Sequence, residues 1–236
     1  MIYDDNGDEI PKGGKAGYIC VRNPWPGRML TVWGQDQRFI DTYYAKFNRD
    51  ASSKDWRDWP FMCGDGAMES EDGYFRILGR IDDVINVAGH RLGTKELESA
   101  AITVDEVAEA AAVPVIDEIR GKIVEMYVSV KPGVDPAGVD KKVSDAIVKE
   151  IGAIARPKNV WVVADMPKTR SGKIMRRVIA AVSNFADVGD VTTLANPEIV
   201  EDIRHHVQSE KAAKGEVPRE LSETEKQEIA AYGHAE

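Results

Sequence analysis

Short runs of alternating apolar residues, and a few apolar stripes at helical spacing, divide the chain into two dissimilar parts. In the first, Gly17-Tyr18-Ile19-Cys20-Val21 reads as a short buried strand ended by the turn chemistry of Asn23-Pro24-Trp25-Pro26-Gly27. Phe39, Tyr43 and Phe47 recur every four residues, so the pattern predicts a helix over 35–47 whose aromatics face a core. Phe61-Met62-Cys63 and residues 74–78 predict two strands joined through Glu71-Asp72-Gly73, a hairpin signal.

Beyond Gly79 the pattern changes. Val84, Asn86 and Ala88 alternate with Ile85 and Val87, and residues 94–103, rich in Lys, Glu, Leu and Ala, predict a helix. Strands are expected at 108–115 and 124–131, the second with Val124, Met126, Val128 and Val130 on one face, separated by a charged loop at 117–122. Val139, Val143, Ile147 and Ile151 mark an amphipathic helix between Pro136 and Gly152. A strand at 159–163 and a helix at 174–182 complete a βαββαβα-like order. That order predicts an α+β domain with helices on one or both faces of a small sheet. Residues 1–78 carry too little apolar surface for a comfortable core and are expected to pack against something outside this chain.

Composition narrows the function classes. Of 236 residues 43% are hydrophobic and 30% charged, as in an ordinary globular protein. No stretch has the roughly 18 apolar residues of a membrane span, and Met1-Ile2-Tyr3-Asp4-Asp5 lacks the basic start of a signal peptide, so no membrane partner and a cytoplasmic location are expected. Cys20 and Cys63 stand without Cys/His ligand spacing and read as reduced core thiols, and His205-His206 as a solvated helix face, so no metal site is expected. Residues 187–236 hold 12 acidic and 5 basic side chains, which accounts for most of the net charge of −9. This predicts an acidic C-terminal tail that becomes a solvated extension beyond Lys211.

Three segments carry candidate chemistry. Pro167-Lys168-Thr169-Arg170-Ser171-Gly172-Lys173 lies in a stretch, 156–177, with seven basic residues against one acid, Asp165. Such a field favours an anion, and small residues let backbone approach a phosphate, though by composition alone a basic turn before a helix is as readily plain surface. It is not a Walker loop, because Pro167 and Ile174 fall where a Gly and a Ser/Thr are needed. Second, 79–93 places Arg80 and Arg91 around an apolar strand pair, with Asp82-Asp83 at the junction of the two parts; a salt-bridged hairpin and a hinge both fit. Third, in Gly64-Asp65-Gly66 a carboxylate between permissive residues suits either a ribose diol or a turn. Nucleic acid is excluded as a partner: one short basic patch without interleaved aromatics sits in an acidic chain.

In this order and spacing, Gly64-Asp65-Gly66, the run Gly79-Arg80-Ile81-Asp82-Asp83-Val84-Ile85-Asn86-Val87-Ala88-Gly89-His90-Arg91, and 167–177 resemble the AMP-forming acyl-CoA synthetases of the adenylate-forming superfamily, in their acetyl-CoA synthetase branch. Trp25-Pro26-Gly27 and 187–197 resemble the same branch, and the likeness runs from Ile2 to about Lys211. The resemblance implies that 1–79 is the C-terminal end of a large, β-rich N-terminal adenylation domain, and that 80–185 is a small, mobile C-terminal AMP-binding-enzyme domain of mixed α/β structure acting as a lid. An acidic tail, 186–236, follows.

The resemblance further implies ATP, Mg2+ and coenzyme A as cofactors and a short-chain carboxylate, acetate first, as substrate. Lys173 would be the catalytic lysine and a familiar kind of acetylation target. Asp65, Arg80 and Arg91 would bind ATP, Ala88 and Gly89 would meet coenzyme A, and Asp82 would be the hinge. The phosphate loop, adenine site and carboxylate pocket lie upstream of Met1 in such enzymes. The chain is therefore expected to need a missing N-terminal domain or subunit and to be inactive alone; the alternative is a non-catalytic phosphate-binding or interaction module. Two departures stand out: Ala88 replaces a frequent Ser, and Val148 stands where many relatives carry an Arg for coenzyme A.

Overall fold

Alternating side chains on short strands build one sheet in each half of the chain. The computed structural model describes residues 1–47, 53–81, 83–88 and 90–232, apart from the side chains of Arg91 and Ala231. The expected hinge Asp82 and the expected coenzyme A contact Gly89 lie outside the described residues, as does the side chain of Arg91. Two compact units meet between Ile81 and Asp82. The division falls just past the boundary expected from sequence because Arg80 still pairs in the last strand of the first unit, and Ile81 N–H donates to the Gly64 carbonyl.

The first unit is an antiparallel sheet of β1 (Ile2–Tyr3), β2 (Gly17–Val21), β3 (Phe61–Glu69) and β4 (Phe75–Arg80) in that spatial order, with helix α1 (Asp36–Tyr43) between β2 and β3 in sequence. The helical stripe stops at Tyr43, and Phe47 is reached through a separate 3-10 turn, Ala45–Phe47. The hairpin between β3 and β4 turns at the expected place, closed by Gly73 N–H to Ser70 O with Gly73 at φ +86°. Phe39, Tyr44, Trp56 and Phe61 pack edge to face, and Tyr3, Tyr18, Cys20 and Phe47 form a second buried cluster. Both cysteines are free thiols, and burial pushes Cys20 up to about 12. Leu30, Trp33, Tyr74, Phe75 and Ile77 stay exposed.

The second unit holds a mixed sheet. β5 (Val84–Val87) and β6 (His90–Gly93) form a hairpin that leads into α2 (Thr94–Ile102). β7 (Val107–Asp117) and β8 (Gly121–Val130) pair over their whole length, and the expected charged loop shrinks to three residues tied by the Asp117 carboxylate to the N–H groups of Ile119 and Arg120. Next come α3 (Val139–Glu150) and β9 (Asn159–Val162), which runs parallel to β8. The chain ends in α4 (Arg176–Ser183), α5 (Ile199–Ala213) and α6 (Glu223–Ala231).

The strand period of two is used on both faces. Ala110 and Ala112 of β7 with Val124, Met126 and Val128 of β8 join the core under α2 and α3. Ala111, Val113 and Tyr127 join the opposite core with α4, α5 and α6. The expected acidic tail is corrected here: Val188, Leu194, Val200, Ile203, Val207, Leu221, Ile229 and Tyr232 are all buried in that second core. Charge counting missed them because apolar residues at helical spacing lie between the carboxylates, which face solvent.

Two polar devices hold this segment down. Lys211 on α5 and Glu125 on β8 are each 0% exposed and pair at 2.7 Å. The carboxylate also accepts from Asn159, Trp161 and Ser183 at 2.9 Å each, and the ammonium donates to Ser183 O at 2.7 Å. Further along, Ser222 and Glu225 form a reciprocal capping box at the start of α6, and the Tyr232 hydroxyl donates to Ala112 O.

Because a lone buried carboxylate is left when its partner is removed, Lys211→Ala is expected to lower unfolding free energy by about 3–5 kcal/mol, whereas Glu125→Leu with Lys211→Met should recover most of it. Urea unfolding of the parent and the two variants checks this.

Candidate functional site

The basic segment singled out from sequence folds as a tight hairpin turn. Lys168 and Ile174 pair across it, Thr169 N–H donates to Lys173 O at 2.8 Å, and Gly172 N–H donates to Thr169 O at 2.9 Å. Gly172 takes φ +83°, the left-handed residue that a three-residue hairpin loop requires. The Thr169 hydroxyl accepts from Lys173 N–H at 3.1 Å and bonds the Ser171 hydroxyl at 2.9 Å. Lys173 itself is exposed, and its ammonium has no hydrogen bond or ion pair among the described residues.

The base of the turn is fixed as firmly as its tip is free. Lys168 Nζ lies 2.8 Å from Glu109 on β7 and 2.9 Å from Asp165. Partial burial raises the Asp165 carboxyl, but the Lys168 and Met166 N–H donors more than offset it and hold it below its ordinary value. Hydrogen bonds to Glu109 and then Asp165 raise Lys168. On the far arm, Arg176 opens α4 and is 94% buried, with Nε and Nη2 at 2.8 and 2.9 Å from the two oxygens of Glu98 on α2. Glu98 also accepts from Ala112 N–H on β7, so strand, both helices and the turn share one carboxylate. The adjacent Arg177 instead binds the carbonyls of Val188 and Asp190.

The remaining candidates fall in two places. In the first unit Asp65 and Arg80 are register partners on β3 and β4. The Arg80 guanidinium lies over Gly64 and donates to Cys63 O at 3.3 Å; a Cβ on Gly64 would come within 2.8 Å of it. Gly64 has φ +81°, so glycine is demanded by the backbone as well as by this contact. In the second unit Ala88 is exposed at φ +48° in the two-residue connection between Val87 and His90, and its N–H donates to Arg120 O at 3.2 Å.

The structure therefore brings Asp65 and Arg80 together but sets the Ala88 and Lys173 turns apart. The first is tied to the connection after Asp117, the second to Glu109, and these are the two ends of β7, roughly 26 Å apart at 3.3 Å per residue. Among the described residues no group of three or more His, Cys, Asp or Glu side chains could hold a metal ion. Sequence reading gave no role to Glu98 on α2, Glu109 on β7 or Asn196 in the connection between α4 and α5. The available signal was the doubled Arg176-Arg177 at the start of an apolar helix, which puts one arginine inward.

Residues 96–173 match the AMP-binding enzyme C-terminal domain. The chain is 40% identical over 214 residues to the acetyl-coenzyme A synthetase of Gemmatimonas aurantiaca, covering 89% of this chain and 31% of that one. It is 43% identical over 212 residues to the acetyl-coenzyme A synthetase of Pyrobaculum arsenaticum, covering 89% and 30%. The chain thus spans about a third of the length of these curated relatives. Its fold matches the crystal structure of ATP-bound MatB from Rhodopseudomonas palustris with a TM-score of 0.62 at 26% identity, over 76% of this chain and 32% of that one.

The ion pairs set a pH window for the turn. Asp165 is depressed, so its stabilising contribution is present above the unfolded value near 3.8 and is lost as pH falls through the lower folded value; Lys168 is raised, so its contribution is lost only as pH climbs past 10.5. Amide exchange at 166–175, corrected for intrinsic rates, should be flat across neutral pH and quicken below about pH 4. Gly64→Ala should cost about 1–2 kcal/mol through the forced left-handed backbone, read as faster exchange along β3 and β4.

Proposed function

Since the chain is an acetyl-CoA synthetase-like member of the adenylate-forming enzymes and carries their AMP-binding C-terminal domain, we propose that it supplies the lid and catalytic lysine of an AMP-forming ligase for a short-chain carboxylate, acetate first. In the first half-reaction a carboxylate oxygen bonds to the α-phosphorus of ATP, and the bond to the α–β bridging oxygen breaks to release pyrophosphate. In the second the coenzyme A sulfur bonds to the acyl carbon and AMP leaves.

Lys173 is the group suited to the first step. An ammonium free of internal partners can be spent wholly on the negative charge that builds between carboxylate and α-phosphate, and a fixed base keeps the cost of placing it low. Asp65 accepts from the ribose hydroxyls, Arg80 beside it contacts ribose or phosphate, and Arg91 adds charge for the phosphates. Ala88, with its single methyl group, and Gly89, with no side chain, meet the pantetheine arm. Magnesium enters with the ATP phosphates.

The observation that carries this reading is the separation of the Lys173 and Ala88 turns at opposite ends of β7. Two groups so far apart on one rigid sheet cannot serve one carbon atom in one pose. A rotation about Asp82 between half-reactions satisfies both, with the Lys173 turn presented for adenylation and the Ala88 turn for thioester formation. The nucleotide cradle is completed by a partner domain or subunit, and the chain by itself turns over nothing.

With the complete enzyme, Lys173→Ala is expected to slow carboxylate-dependent pyrophosphate exchange by about 100–1,000-fold. Lys173→Arg should not restore it, because a planar fork does not fill a point-charge position. Carboxylate-dependent pyrophosphate release by the isolated chain would overturn the dependence on a partner.

A further inference from the structure

The segment 194–196, which composition assigns to an acidic tail, lies against the first arm of the Lys173 hairpin. Leu194 pairs with Thr169, and Ala195 N–H donates to Lys168 O at 2.8 Å. Asn196 then adds three side-chain bonds. Its Nδ2 donates to Asp165 Oδ2 at 3.1 Å and to Met166 O at 2.9 Å, and its Oδ1 accepts from Lys168 N–H at 2.9 Å. One half-buried amide thus uses both its donors and an acceptor on three residues of the arm that leads to the lysine.

We propose that Asn196 is a positioning residue for Lys173. The inference rests on the role given to Lys173 above and extends it to a residue of a different segment. The two arms of the hairpin have different anchors. The arm after Lys173 runs into α4 and is fixed by Arg176 on Glu98. The arm before it is fixed by Asn196, together with the Asp165–Lys168–Glu109 pairs. Without Asn196 the acceptor for Lys168 N–H and a donor to Asp165 are lost together, and the first arm can slide while the second stays in place. The ammonium would then sample positions around the α-phosphate instead of holding one. Such misplacement slows a step that depends on a fixed charge and leaves binding of ATP elsewhere nearly unchanged.

The test uses Asn196→Ala and Asn196→Asp in the complete enzyme, with Lys173→Ala as reference. The aspartate keeps the acceptor for Lys168 N–H but loses both donors and faces Asp165 with a second negative charge. Both variants should speed amide exchange at 166–173 at least tenfold while β8 and α3 exchange as in the parent. Pyrophosphate exchange should fall about 10–100-fold in kcat with KM for ATP within twofold, and thioester formation from supplied acyl-adenylate should keep its rate. Unchanged loop exchange and turnover overturn the proposal. So does equal loss in both half-reactions alongside a lowered melting temperature, which makes Asn196 a matter of stability alone. Should Lys173→Ala itself leave pyrophosphate exchange intact, the ligase reading fails and the kinetic half of this proposal with it, while the exchange data still decide whether Asn196 holds the turn.

Discussion

An ammonium and a carboxylate withdrawn completely from water are tolerated only when they pair and are further hydrogen-bonded, and Glu125, with four donors around it, and Lys211, bonded to Glu125 and to Ser183 O, meet that demand. The geometry leaves little freedom. Glu125 points out of the middle of the central strand toward the face opposite α2 and α3, so the helix that bears Lys211 must lie on that face. Once α5 is there, the chain before it must cross the end of the sheet near Glu109, and residues 194–196 arrive beside the basic turn. The same charge also governs its neighbour: burial and then Glu125 push the Tyr127 phenol well above its ordinary value, so it stays a neutral partner of Ser183.

The basic turn shows how a protein combines a mobile charge with a fixed position. Its anchoring cations, Lys168 and Arg176, are engaged by carboxylates, whereas Lys173, between them in sequence, is left to solvent. The seven positive charges counted between 156 and 177 therefore do not act as one field. Two brace the turn, Arg177 holds backbone carbonyls, and Arg156 pairs with Asp145. What reaches outward is a small part of the formal charge, concentrated at the hairpin tip.

Most of the second unit was legible from the chain alone because its apolar periods are long and uninterrupted. The four-residue stripe of Val139, Val143 and Ile147 is buried as its spacing requires, and Val124, Met126 and Val128 share a face. The reading failed where charge outvoted periodicity. Residues 199–213 carry Val200, Ile203 and Val207 at helical spacing, but four carboxylates over 198–210 made the segment look solvated. No local rule marks a lysine such as Lys211 as buried, since its partner lies 86 residues away. The turn itself was visible as Ser-Gly-Lys before a helix, while its supports were not, because Glu98, Glu109 and Asn196 meet it only through tertiary structure.

β4 ends its sheet, and Phe75, Ile77, Tyr74 and Leu78 stand exposed on both of its faces. A terminal strand with a free row of peptide groups and apolar side chains above and below is a template for another strand. Lysine in place of Phe75 or Ile77 would keep the strand and remove the apolar half of that template.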